Sequence, residues 1–163
     1  MKPAEASLPS DTEIVVQRSF DAPVERVWRA YIEPDLLRRW CAGPPGWSMP
    51  ICEMDMRVGG KYRWRWRNDD NGQEFGFTGN VLEVSEHEKL VHTQAYDPGD
   101  LGVPMGSEPY IVTVTFEEAR GITNTTTKIS FTSKADRDAT FSTGMTEGME
   151  MNYKLLDQVL AER

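Results

Sequence analysis

Histidine and cysteine are scarce in this chain of 163 residues, at two each. His87, His92, Cys41 and Cys52 form no CxxC pair and no ligand spacing of a structural zinc site, so no metal is expected. In a reducing compartment both thiols stay free. Long apolar runs are missing as well; none approaches the roughly 20 residues that a membrane-crossing helix needs. The first residues, MKPAEASLPS, lack the apolar stretch of a secretory signal, which points to a cytoplasmic protein. Residues 1–12 read as a frayed leader and 13–163 as one domain. There is no nucleophile elbow, phosphate-cradling loop or dinucleotide fingerprint. Gly59-Gly60 leads into a strand rather than a helix, so no phosphate grip follows it, and no cofactor is expected. Cations are outnumbered: the formal charge is −8. A surface of that sign is poorly suited to a polyanion.

Against that background the segment GGKYRWRWR, residues 59–67, is the exception. From Arg57 to Arg67 there are five cations and no acid, which leaves −13 on the rest. On a strand, neighbours point to opposite faces. Tyr62, Trp64 and Trp66 therefore share one side and Lys61, Arg63, Arg65 and Arg67 the other. Single-strand nucleic-acid binding needs aromatics and cations around one groove. This alternation separates them, so no nucleic-acid partner is expected. The cationic row reads as a solvated face paired with acids such as Glu74 or Glu83, or as a patch for a partner.

The next strand settles which aromatics meet. A tight turn at Asn71-Gly72 would set Trp66 opposite Phe77 and Trp64 opposite Gly79. A looser six-residue loop would set Trp66 opposite Phe75 and Trp64 opposite Phe77. Both registers keep Trp64 and Trp66 on the face of Phe75 and Phe77.

Strands are expected over Glu13–Phe20, Met49–Met56, Glu74–Ser85, Lys89–Ala95, Pro109–Glu117 and Ile122–Thr132. Asp21 and Pro23 open a first helix, and Pro34–Trp40 forms a second. Trp40 and Trp47 flank a Gly/Pro loop, and residues 96–108 form a long loop of a kind that often carries function. A long helix is expected from Lys134 to Glu162, with Phe141, Met145, Met149, Asn152, Leu156 and Leu160 on one stripe. Gly144 and Gly148 fall inside that helix, each at about 1 kcal/mol relative to alanine. Either close packing or room for a bound molecule would offset this. The fold class is α+β, a curved antiparallel sheet burying one face against the C-terminal helix.

The inner face is then either a packed core or an apolar cavity. Arg18 shares its side of the first strand with Ile14, Val16 and Phe20. It needs a carboxylate, a ligand anion or an escape to the sheet edge. His92 can face in or out. Glu53 and Asp55 read as outward, with Cys52, Met54 and Met56 inward.

FDAPVERVW (residues 20–28), then Pro34 and Trp40, DMRVGGKYR (55–63) and TGMTEGM (143–149) together resemble the family homologous to the C-terminal domain of the heat-shock protein 90 ATPase activator. That family is part of the START-like, pollen-allergen-like helix-grip superfamily (SRPBCC). The resemblance covers about residues 13–162 and implies a sheet wrapped around a long terminal helix, two short helices closing one end, and a cavity between helix and sheet. In relatives that cavity takes lipids, polyketides or other apolar molecules, and some relatives catalyse cyclisation or dehydration.

The first functional expectation is non-enzymatic binding of a hydrophobic or aromatic small molecule. Its candidate lining is Arg18, Trp40, Trp47, Tyr62, Trp64, Trp66, Phe75, Phe77, His92, Phe141, Met145 and Met149, with no catalytic residue. A second is stimulation of a chaperone ATPase through Lys61, Arg63, Arg65 and Arg67. A third is a cyclase or dehydratase that uses His92 with an inward Glu53 or Asp55. A homodimer is left open.

Overall fold

The computed structural model describes residues 1–43, 45–98 and 108–162. In chain order the elements are β1 (Glu5–Ser10), β2 (Glu13–Phe20), α1 (Val24–Ile32), α2 (Pro34–Trp40), β3 (Trp47–Met54), β4 (Lys61–Asn68), β5 (Glu74–Ser85) and β6 (Lys89–Asp97). They continue with β7 (Tyr110–Ala119), β8 (Ile122–Ser130), α3 (Lys134–Phe141) and α4 (Met145–Ala161). Eight strands form one antiparallel sheet in the order β1-β2-β8-β7-β6-β5-β4-β3. The sheet curves around the C-terminal helix, while α1 and α2 close one end: a helix-grip architecture.

Alternation decides which side of each strand is inside. Ile14, Val16, Arg18 and Phe20 of β2 are buried, and the residues between them are not. On β8 the same inner row is Thr123, Thr125, Thr127 and Ile129. Two of these threonines satisfy their hydroxyls on backbone carbonyls, Thr123 on Ala22 at 2.8 Å and Thr125 on Arg18 at 3.0 Å, as buried donors must. Against this wall α1, α2 and the last turns of α4 assemble an aromatic core. Trp28 meets Phe116 edge-on at 5.2 Å, and Phe20 meets Tyr153 edge-on at 5.5 Å.

Three local expectations give way. Residues 5–10 form β1, an exposed edge strand pairing with β2, where a leader is expected. Asp21 does not cap α1. Pro23 is the boundary residue, and the Val24 amide instead donates to Glu118 Oε1 on β7 at 2.7 Å. Of the two registers left open, the β4–β5 hairpin takes the looser one, with Trp66 opposite Phe75 and Trp64 opposite Phe77. The single helix over Lys134–Glu162 is two helices, because Gly144 adopts a left-handed φ of 81° between α3 and α4, a region glycine enters without steric cost. Most of the long loop expected at 96–108, residues 99–107, lies outside the described residues.

An irregularity on β3 reconciles a mixed pattern. Pairing with β4 shifts between Ser48 and Ile51, around Pro50. Met49 and Cys52 are consequently both buried although three positions apart. Met54 and Met56 are half-buried, and Glu53 and Asp55 are exposed.

Candidate functional site

Between the sheet and the first half of α4 lies a cavity of about 560 Å³, within the usual range for small-molecule sites. Its walls follow from the hairpin register. Trp64 and Trp66 of β4 and Phe75 and Phe77 of β5 stand on the inner face, and Trp66 is only 8% exposed. Trp66 stacks on Phe75 with centroids 5.4 Å apart and planes at 23°, while Phe77 meets it edge-on at 5.7 Å. Trp47 closes the group with its edge against Phe75 at 5.4 Å. The Trp66 indole donates to the Cys41 carbonyl at 2.6 Å, and the Trp40 indole to the Ala30 carbonyl at 2.9 Å. These bonds fix two rings in orientation as well as depth. The Trp64 indole N–H is buried without an acceptor among the described residues, which costs on the order of 1–3 kcal/mol.

The helical side is softer. Met145, Met149 and Met151 line the cavity from α4, with Met56 across from them. Gly148 lies between, and a Cβ built there would meet nothing within 4 Å. Gly148 is exposed, and its missing side chain therefore leaves open space beside the cavity rather than a close contact.

The polar points are few. His92 of β6 is 5% exposed and lines the cavity. Its Nδ1 is 3.0 Å from the Tyr62 hydroxyl and 3.1 Å from the Thr93 carbonyl, and the Tyr62 hydroxyl donates to that same carbonyl at 2.5 Å. Gly79 makes this possible, since a Cβ there would sit 2.5 Å from the Tyr62 ring and 2.0 Å from the Thr93 oxygen. Gln94 donates to the Tyr110 hydroxyl at 2.7 Å. Burial lowers the His92 pKa from its ordinary value near 6.5, with the Thr93 carbonyl opposing in part. The imidazole is thus neutral at pH 7. None of the described lining residues is an Asp, Glu, Lys or Arg.

Of the residues expected here, Trp40, Trp47, Trp64, Trp66, Phe75, Phe77, His92, Met145 and Met149 meet around this one space. Three do not. Phe141 is 37% exposed at the end of α3, because the break at Gly144 takes it off the stripe of α4. Tyr62 is buried behind the lining instead of facing the cavity, its ring against Trp64 at 4.4 Å and its hydroxyl 3.0 Å from His92 Nδ1.

Arg18 is the third. Its side chain, 1% exposed, binds Glu150 and Asp157 of α4, at 3.1 and 2.8 Å for the shortest contact of each. Burial alone would lower its pKa, but the bonds to Asp157 and Glu150 override that and raise it. Burial would likewise raise Glu150; its bonds to Arg18 and to the Ala4 amide outweigh this and hold its carboxyl below the ordinary value. Arg18 is thus a strut between sheet and helix. Tyr31, Gln94, Tyr110 and Asn152 line the cavity although not anticipated as a lining. Strand parity with His92 already pointed to Gln94, and the α4 stripe to Asn152.

On the outer face Arg65 is held by Glu74 at 2.5 Å and Asp97 at 3.1 Å, whereas Glu83 pairs with Lys89. Lys61, Arg63 and Arg67 are exposed. Glu53 and Asp55 lie outside the cavity, so the acid–base pair considered with His92 does not form there.

A sheet gripping its terminal helix beside a largely apolar, uncharged chamber defines a helix-grip protein. The chain belongs to the family described as activator of Hsp90 ATPase homolog 1-like protein, which matches residues 21–161. Solved structures of similar shape include a protein from Rhodobacter sphaeroides, with 28% identity, TM-score 0.89 and coverage of 98% of this chain and 99% of that one. Another is protein Ms6760 from Mycobacterium smegmatis, at 22% identity, TM-score 0.85 and 99% of each chain. A third comes from Arthrobacter aurescens, at 25% identity, TM-score 0.81 and coverage of 98% and 92%. No curated protein matches the chain. Among the described residues no helix is long and apolar enough to cross a membrane, and no cluster of three His, Cys, Asp or Glu could hold a metal ion.

Proposed function

We propose that this protein binds a hydrophobic, aromatic small molecule in the chamber between the sheet and α4. The observation that carries the reading is the aromatic wall of Trp66, Phe75, Phe77 and Trp47 facing an unfilled volume of about 560 Å³. A core evolved only for stability would fill that volume, since an apolar void forfeits contacts on every side. The methionines opposite are adaptable in shape, and the family resemblance supports the same use of the space.

The test is thermal denaturation and native mass spectrometry with a panel of neutral aromatics and lipids. A ligand at about 100 times its Kd stabilises the folded state by about 2.7 kcal/mol. For a chain of this length that raises Tm by about 5–10 °C. If no apolar compound in the panel shifts Tm or travels with the protein in the gas phase, the reading fails.

A further inference from the structure

The state of His92 follows from its two neighbours. The Thr93 carbonyl can only accept, and it lies 3.1 Å from Nδ1. A bare Nδ1 would set two lone pairs against each other. The Tyr62 hydroxyl has one proton, spent on that carbonyl at 2.5 Å, so toward Nδ1 it presents its oxygen at 3.0 Å. Both contacts require the proton on Nδ1. In the neutral ring Nε2 then carries a lone pair. Nδ1 is tied back to β6 and β4, no donor to Nε2 occurs among the described residues, and the ring lines the cavity. An acceptor with no protein partner thus opens into a cavity whose other polar groups, such as Gln94, Tyr110 and Asn152, are all uncharged, and a ligand donor placed there gains a hydrogen bond. The complementary group is a donor, and an uncharged one, because no ionised side chain lines the space to hold a countercharge.

We propose that His92 Nε2 is the specificity point of the cavity and accepts the proton of a hydroxyl on a neutral aromatic ligand, a phenol or a hydroxylated polycycle. This rests on the binding function proposed above and adds the polar group that the ligand must carry. Tyr62 is the positioning residue, since it fixes which nitrogen is bare. The ring of the ligand lies along Trp66 and Phe77, and its hydroxyl points toward β6.

Four probes of one skeleton separate the requirements: naphthalene, naphthol, its methyl ether and naphthoate. Their affinities are read at about neutral pH from quenching of the tryptophans that line the cavity. Naphthol is expected to bind about five- to tenfold more tightly than the methyl ether, the scale of one buried hydrogen bond. The ether keeps the oxygen but has no proton to give, and naphthoate should be the weakest because its charge finds no partner. His92→Phe should bring naphthol and its ether to equal affinity while naphthalene binding is kept. Tyr62→Phe, which leaves the Thr93 carbonyl in place, should narrow the preference in part.

Equal binding of naphthol and the ether by the unaltered protein overturns the inference while leaving the container reading intact. So does a naphthol preference that persists in a folded His92→Phe protein, or naphthoate binding tighter than naphthol. Failure of all four probes, naphthalene included, overturns the container reading and this inference with it. The wild-type comparison needs no variant, so a His92→Phe protein that does not fold leaves the test standing.

Discussion

Gly148 offers the most direct test of whether the space between α4 and the sheet is real. It occupies the second turn of α4, where glycine costs about 1 kcal/mol relative to alanine. A Cβ at this position meets no atom within 4 Å, so nothing in the packing opposes the added methyl. Gly148→Ala should therefore stabilise the protein by about 0.5–1 kcal/mol, through the helix and through the narrower unfolded ensemble. At this chain length the Tm should rise by about 2–4 °C per kcal/mol. Gly148→Trp extends the same logic. Gly148 lines the chamber of about 560 Å³, so an indole there is expected to narrow it and compete with any occupant, with at least tenfold weaker binding at an unloaded Tm no lower than wild type. The two variants are measured together, by differential scanning calorimetry without ligand and by titration with an aromatic probe. A Tm drop for the alanine variant would mean that the position is filled in solution. Unchanged probe affinity for the tryptophan variant would place the ligand elsewhere.

Two further perturbations test the frame around the chamber. Arg18→Met keeps an apolar stem but leaves Glu150 and Asp157 facing each other, at side-chain exposures of 15% and 34%. Breaking a fully buried pair costs about 3–5 kcal/mol; with Asp157 this open, about 2–4 kcal/mol is expected, measured by urea unfolding. Acidification should weaken the fold in two stages. His92 has a lowered folded pKa, so below about 6.5 the unfolded chain binds the proton more readily and stability falls with pH. Glu150 is also lowered, so its contribution is present above about pH 4.5 and lost as pH drops through the folded value. Urea midpoints across pH should lose the first stage in His92→Phe and the second in Glu150→Gln, and unchanged profiles would refute both assignments.

Period-two alternation made much of this site readable from the chain. The bounds of β2 coincide with those expected, Glu13–Phe20, because that strand has one wet and one dry face; those of β5, Glu74–Ser85, also coincide, although its pairing with β6 shifts between Val81 and Glu83. The inward tryptophans and outward arginines of β4 follow from the same rule, whatever the hairpin register. The register itself was open because Asn71-Gly72 competes with other turn-formers nearby. Asn68 and Asn71 accept from the amides of Asp70 and Gln73, each at 2.9 Å, and Asn68 also accepts from Gly72 through its carbonyl at 2.7 Å. Local side-chain bonds of this kind stabilise the longer loop.

What local pattern could not supply was long-range pairing. The partners of Arg18 lie 132 and 139 positions away, one on each of two turns of a helix whose orientation is set only by the fold. Phe141 continues the apolar period across Gly144, so the period alone showed no break. The direction of His92 depended on the glycine-permitted crossing of Tyr62 from β4 to β6.

The two halves of α4 do different work, and this division explains how the fold tolerates an unfilled chamber. Its buried residues, Tyr153, Leu156, Val159 and Leu160, all lie in the second half. There the helix packs under Phe20 and Trp40, and Arg26 of α1 reaches across to the Leu160 carbonyl at 2.6 Å. In the first half Met145 and Met149 are half-buried and Gly148 is exposed. That half hangs between the Arg18 strut at Glu150 and the glycine joint at Gly144. Stability is thereby concentrated at the α1–α2 end, and the α4 wall of the chamber is the less anchored one. Low burial and an exposed backbone are the conditions for local opening at well below the global free energy. Amide exchange should therefore be slow over residues 153–161 and faster over 146–152, and a bound aromatic should protect the second set selectively. Uniform protection along α4 without ligand would refute the division.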